Sequence, residues 1–138
     1  MQIDSSAVLW SAPERERAGR PLIVLLHGYG SHEGDLFGMA PALPLGPVIA
    51  SLRAPILESG GFSWFPIALS GGGRPQVSGV DDAANAVLEW LDDQQFTSVS
   101  LLGFSQGAAM SLQLLRLAPE RFSCAVALSG FVASAAHP

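Results

Sequence analysis

Ser105 stands in the pentapeptide Gly103-Phe104-Ser105-Gln106-Gly107, a spacing suited to nucleophilic chemistry. An apolar, strand-like run (98–102) precedes it and a helix-like run (108–115) follows. With glycine two residues away on either side, the serine can occupy a strand-to-helix turn too tight for flanking side chains. Such a turn lifts the hydroxyl above the carboxyl end of the strand, and the positive end of the following helix dipole points at the same spot. Acyl transfer at a serine also needs hydrogen-bond donors for the oxyanion. One would be the backbone N–H of Gln106. The other should come from a loop after an earlier strand, and Leu25-Leu26-His27-Gly28-Tyr29-Gly30 has that place and the glycines to turn an amide back, that of Tyr29. His27 in this loop reads as a structural histidine and not as a base.

A third candidate is aromatic. Phe62, Trp64 and Phe65 lie beyond Gly60-Gly61, past the carboxyl end of another strand. Aromatic residues there can wall a pocket for an apolar acyl group. The alternative for Trp64 and Phe65 is that they plug the core. Gly71-Gly72-Gly73 beyond them suits a surface loop better than a lid hinge.

The elements that must position these residues follow from periodicity. Residues 7–10 read as a short first strand, and residues 13–20 as a charged, solvated connection. Leu22 to Leu26 is a continuous apolar run, as in a strand buried on both faces of a parallel sheet. A helix over 33–43 and a strand over 47–52 come next. Residues 53–78 form a long irregular segment, after which Ser78 is expected to cap a helix whose apolar face is Val80, Ala83, Ala84, Val87, Leu88 and Leu91. Pro119 ends the helix after Ser105, and residues 122–129 read as a final interior strand, with Cys124 a buried structural thiol. Alternating strands and helices predict an α/β fold with a mostly parallel sheet, in a single domain over 1–138.

Composition excludes several function classes. The 138 residues are 49% hydrophobic and only 14% charged, which suits one domain with a real core. A net charge of −5 argues against nucleic acid or an anionic membrane as partner. One cysteine forms no internal disulfide, and no Cys/His cluster has metal-ligand spacing. The first residues lack the pattern of a signal peptide, and no apolar run is long enough to span a membrane, so the expected location is cytoplasmic.

The chain resembles the carboxylesterase/phospholipase family of small α/β-hydrolases, which includes acyl-protein thioesterases and lysophospholipases. The resemblance is carried by Leu26-His27-Gly28-Tyr29-Gly30 with Asp35-Leu36-Phe37, by Arg53-Ala54-Pro55, by Gly60-Gly61-Phe62-Ser63-Trp64-Phe65, by Gly103-Phe104-Ser105-Gln106-Gly107-Ala108, and by Pro119-Glu120-Arg121-Phe122 with Ala127-Leu128-Ser129-Gly130. It implies the α/β-hydrolase fold, Ser105 as nucleophile, the amides of Tyr29 and Gln106 as oxyanion hole, and Trp64 lining the pocket. It also implies ester or thioester substrates and no cofactor.

Against that pattern, the acid and the histidine that should follow the serine are not evident. After Ser105 the chain offers one acid, Glu120, and one histidine, His137. Three readings stay open: a second polypeptide supplies the remainder, a second copy pairs with the sheet edge, or His137 serves as the base. The alternatives to an ester hydrolase are a non-catalytic relative that binds acyl ligands or a partner protein, and an acyltransferase using the same serine.

Overall fold

The computed structural model describes residues 1–130 apart from 59, 70–74 and 78. His137 and the triglycine at 71–73 lie outside the described residues. Two-residue β1 (Leu9–Trp10) leads to β2 (Leu22–Leu26), α1 (Glu33–Phe37) and β3 (Val48–Leu52). Two short hairpins follow, β4 (Ile56–Glu58) with β5 (Gly61–Ser63), and β6 (Ile67–Leu69) with β7 (Pro75–Val77). Then come α2 (Val80–Asp92), β8 (Val99–Phe104), α3 (Gln106–Leu117) and β9 (Cys124–Leu128).

The main sheet has the order β1-β3-β2-β8-β9. Only β1 is antiparallel to its neighbour; the other pairings are parallel. Leu26 is in register with Leu52 on one side and Gly103 on the other. The carboxyl ends of β3, β2 and β8 are therefore level, and the loops leaving β2 and β8 emerge side by side.

Side-chain alternation divides the core into two layers. Leu22, Val24, Leu26, Ala50, Leu52 and Leu101 pack in one buried cluster with Ala83, Val87 and Leu91 of α2 and with Ala109, Met110 and Leu114 of α3. Leu25, Ile49 and Leu102 form the other cluster with Leu36 of α1. The apolar run of β2 is continuous because both of its faces are covered.

Several elements differ from expectation. The helix expected over 33–43 stops at Phe37, and only a tight 3-10 turn follows at Ala40–Ala42, after Gly38 and around Pro41. The segment expected to be irregular holds the two hairpins; Gly60, at φ +78°, turns the first. Gly79 and not Ser78 occupies the capping position of α2, at φ 76° and without a side-chain bond. A further correction concerns Cys124. Strand β9 forms, as the last strand of the described sheet, but Cys124, expected to be buried, is exposed, as are Val126 (45%) and Leu128 (38%). The apolar pattern correctly marks a strand, but α1 packs over β2 and β3, and among the described residues no element covers that face of β9.

Candidate active site

Strand β8 and helix α3 meet at Ser105 with almost no connecting turn, so Ser105 takes φ 55° and ψ −112°. Positive φ is rare for residues other than glycine and costs on the order of 1–3 kcal/mol, so surrounding contacts must hold it. They do. The Ser105 N–H donates to the Leu128 carbonyl at 2.8 Å, and its carbonyl accepts from Ala109 N at 3.1 Å. The two glycines are required by close approach. A Cβ on Gly107 would collide with the backbone carbonyls of Leu26 and His27, and one on Gly103 with the Gly107 carbonyl. The start of α3 thus sits directly against the end of β2.

The loop after β2 runs beside the serine. A Cβ built on Gly28 would lie 3.6 Å from Cβ of Ser105 and 3.3 Å from the Phe104 ring. Gln106 is the first residue of α3, so its N–H has no acceptor within the helix. Ser105, Gln106 and the loop carrying Tyr29 are therefore neighbours. That loop is stitched to β5: Gly30 N donates to the Phe62 carbonyl at 2.9 Å, and Phe62 N donates to the Ser31 carbonyl at 2.8 Å. The half-exposed Tyr29 side chain adds a tether, its hydroxyl donating to Glu58 at 2.7 Å. This bond, with a second from Ser63 Oγ at 2.9 Å, holds the Glu58 carboxyl below its usual range.

His27 is buried and both ring nitrogens are engaged. Ala54 N donates to Nε2 at 3.1 Å, so Nε2 is unprotonated and Nδ1–H donates to the Gly28 carbonyl at 2.7 Å. Burial pushes its pKa down. A neutral imidazole with neither nitrogen free braces the loop and does not act as a base, in line with the sequence reading.

The aromatic residues divide. Trp64 and Phe65 are fully buried, 0% exposed, and so sit in the core where a pocket wall had been expected. The reason is polar as well as apolar: the Trp64 indole donates to the His27 carbonyl at 2.8 Å, inside the protein. Phe62 is partly buried, with the Arg53 guanidinium over its ring at 4.5 Å. Arg53 is itself held by a two-pronged bond to Glu33 at 2.7 and 2.9 Å, which lowers the Glu33 pKa.

Sequence reasoning missed the side chain of Gln106. It is 1% exposed, and both polar atoms of the amide are engaged: Oε1 accepts from Trp64 N at 2.7 Å, and Nε2 donates to the Phe65 carbonyl at 2.7 Å. Only its position inside the pentapeptide hinted at importance, because its partners are backbone groups of a distant loop. Glu120 is exposed beyond the far end of α3, roughly 18 Å of helix away from Ser105 at about 1.5 Å per residue. It does not join the serine. Among the described residues no group of His, Cys, Asp and Glu could hold a metal ion.

The sequence profile described as phospholipase/carboxylesterase matches residues 11–137. The chain belongs to that family. A family relative, acyl-protein thioesterase 1 of Candida albicans, is 28% identical over 86% of this chain and 60% of its own length. The crystal structure of esterase PE8 superposes with a TM-score of 0.76 at 26% identity, covering 97% of this chain and 66% of that one. The Bacillus cereus carboxylesterase, at 21% identity, shares the fold with a TM-score of 0.75 over 95% of this chain and 63% of its own. The fold is the α/β-hydrolase fold, a mostly parallel sheet flanked by helices, and the family is one of hydrolases. The chain spans 60% of the length of the thioesterase relative. Among the described residues no helix is long and apolar enough to cross a membrane.

Proposed function

We propose that this chain carries the nucleophile and oxyanion hole of a serine hydrolase acting on carboxylic esters or thioesters. The observation that carries the reading is the backbone of Ser105, held at positive φ between β8 and α3 beside the loop of Gly28. Ser105 Oγ attacks the acyl carbon as a base takes its proton. The oxyanion is stabilised by the N–H groups of Tyr29 and Gln106, and the alcohol or thiol leaves with the proton. Water then cleaves the acyl-enzyme, returning the serine and releasing the acid. Phe62, only partly buried and bonded through its backbone to the loop after β2, is the aromatic residue we assign to the acyl chain; Trp64 and Phe65 support from beneath. No cofactor enters these steps.

The proposal includes a partner. Glu120 is remote from Ser105, and β9 presents an apolar face. Both features favour a further polypeptide, or a second copy, that supplies the base and its acid and pairs with the edge strand. A cytoplasmic setting fits the acidic, cysteine-poor composition.

The test is where an organophosphonate probe attaches. It should add to Ser105 ahead of every other serine, mapped by peptide mass, and Ser105→Ala should abolish the adduct. In a preparation with the base present, Ser105→Ala should cut kcat by about 10⁴-fold or more. An adduct elsewhere refutes Ser105 as nucleophile. No adduct at all, even with the base present, favours the non-catalytic relative.

A further inference from the structure

The primary amide of Gln106 lies between parts of the site that are far apart in sequence. It belongs to the residue after Ser105. Its oxygen takes the N–H of Trp64 and its nitrogen gives to the carbonyl of Phe65, both at 2.7 Å. The Trp64 indole continues the chain to the His27 carbonyl at 2.8 Å, and the His27 ring reaches the Gly28 carbonyl and the Ala54 amide. Gln106, Trp64 and His27 are all buried, so a lost bond is not replaced by water without opening the core. The Gln106 bonds join the elbow to the aromatic loop, and the Trp64 indole joins the aromatic loop to the loop after β2.

We propose that the Gln106 side chain is a positioning residue, clamping the Trp64–Phe65 backbone so that the Trp64 indole sets the His27–Gly30 loop, and with it the Tyr29 amide, at a fixed distance from Ser105. Its catalytic consequence rests on the function proposed above; the clamp itself does not. Glutamine suits the place because one planar group presents an acceptor and a donor at a fixed spacing, matching the N–H of one residue and the C=O of the next. Glutamate matches that pattern only when protonated. As a carboxylate it sets charge against the Phe65 carbonyl in a buried site, so burial and that carbonyl raise its pKa.

The test is amide hydrogen exchange, which needs no turnover, on the full chain. In Gln106→Ala, exchange in peptides covering 62–66 and 27–31 should rise by about tenfold or more, while β2, β8 and the second half of α3 stay protected. Gln106→Glu keeps the test usable should the alanine variant fail to fold. A group whose folded pKa is raised keeps the fold's stability below its unfolded pKa and loses it as pH rises through the folded one. Relative to wild type at the same pH, the glutamate variant should therefore match near pH 4, below the unfolded glutamate value of about 4.3, and open the same two loops near pH 8. In a preparation that turns over ester, kcat of Gln106→Ala should fall by roughly 10²-fold with KM little changed, as for a displaced oxyanion donor. Unchanged exchange in both loops, or a uniform rise through every peptide, overturns the clamp. So does a glutamate variant whose protection does not depend on pH. The expected exchange response in a protein whose Ser105 takes no probe even with the base present would instead refute the function and leave the clamp standing.

Discussion

The backbone N–H of Ser105 donates to the carbonyl of Leu128, the last residue of β9, at 2.8 Å. The edge strand is thus a support for the elbow as well as a member of the sheet. Phe104 and Leu128, in register across β8 and β9, are both exposed beside it.

The tightest steric demand falls on Gly107. A methyl group there meets two backbone carbonyls, and neither can move without separating α3 from β2. Gly107→Ala should destabilise the protein by more than about 2 kcal/mol, toward the cost of strong overpacking. Urea unfolding measures this. A loss under about 0.5 kcal/mol, typical of a tolerant surface site, would contradict the close approach.

Trp64 should behave as a core residue. Trp64→Phe keeps most of the apolar bulk but removes the indole donor from the His27 carbonyl, at a cost of about 1–3 kcal/mol. The melting temperature should fall, and kcat/KM for acetyl and long-chain esters should fall by the same factor. A loss confined to long-chain esters, with stability intact, would return Trp64 to the pocket wall.

These two residues mark what sequence alone could and could not convey. The need for Gly103 and Gly107 was legible, because a nucleophile turn constrains its neighbours locally. Strand β2 was legible because a strand covered on both faces shows as an unbroken apolar run. The hairpins at 56–63 and 67–77 were not, since strands of three residues carry too short a pattern and form through pairing. The burial of Trp64 was also hidden: an aromatic residue in a Gly-rich loop suits a pocket or a core equally, and the decision lies with Gln106 and His27, about 40 residues away on either side. For Cys124, pattern shows what a strand would bury, not whether a neighbour is there to bury it.

His27 makes stability pH-dependent. Its folded pKa is depressed, chiefly by burial, with the charge of His32 acting the same way and the Gly28 carbonyl, Glu33 and Asp35 opposing. The neutral form is favoured on folding, so its contribution is complete above the unfolded value of about 6.5 and declines as pH falls below it. One proton limits the slope to at most about 1.4 kcal/mol per pH unit. Urea unfolding between pH 7.5 and 5 checks this, and in His27→Asn the slope over that range should flatten. An equal slope in both proteins would place the titration elsewhere.

The edge strand gives the last expectation. Cys124, Val126 and Leu128 share one face of β9, where Val126 is 45% exposed and no described helix packs on them. Beyond β9 the sheet has no further strand among the described residues, so its outer backbone groups are a template for pairing. Residues 1–138 purified alone should therefore self-associate in the micromolar range, seen by sedimentation velocity. They should also turn over esters poorly, because an unassisted serine hydroxyl is a weak nucleophile at neutral pH. Val126→Lys places a charge on the exposed face, as natural edge strands do, and should shift the population toward monomer while leaving the fold's melting temperature within a few degrees. Wild-type protein that stays monomeric and hydrolyses esters at about 1 s⁻¹ or faster would mean that neither the edge nor the nucleophile needs a partner.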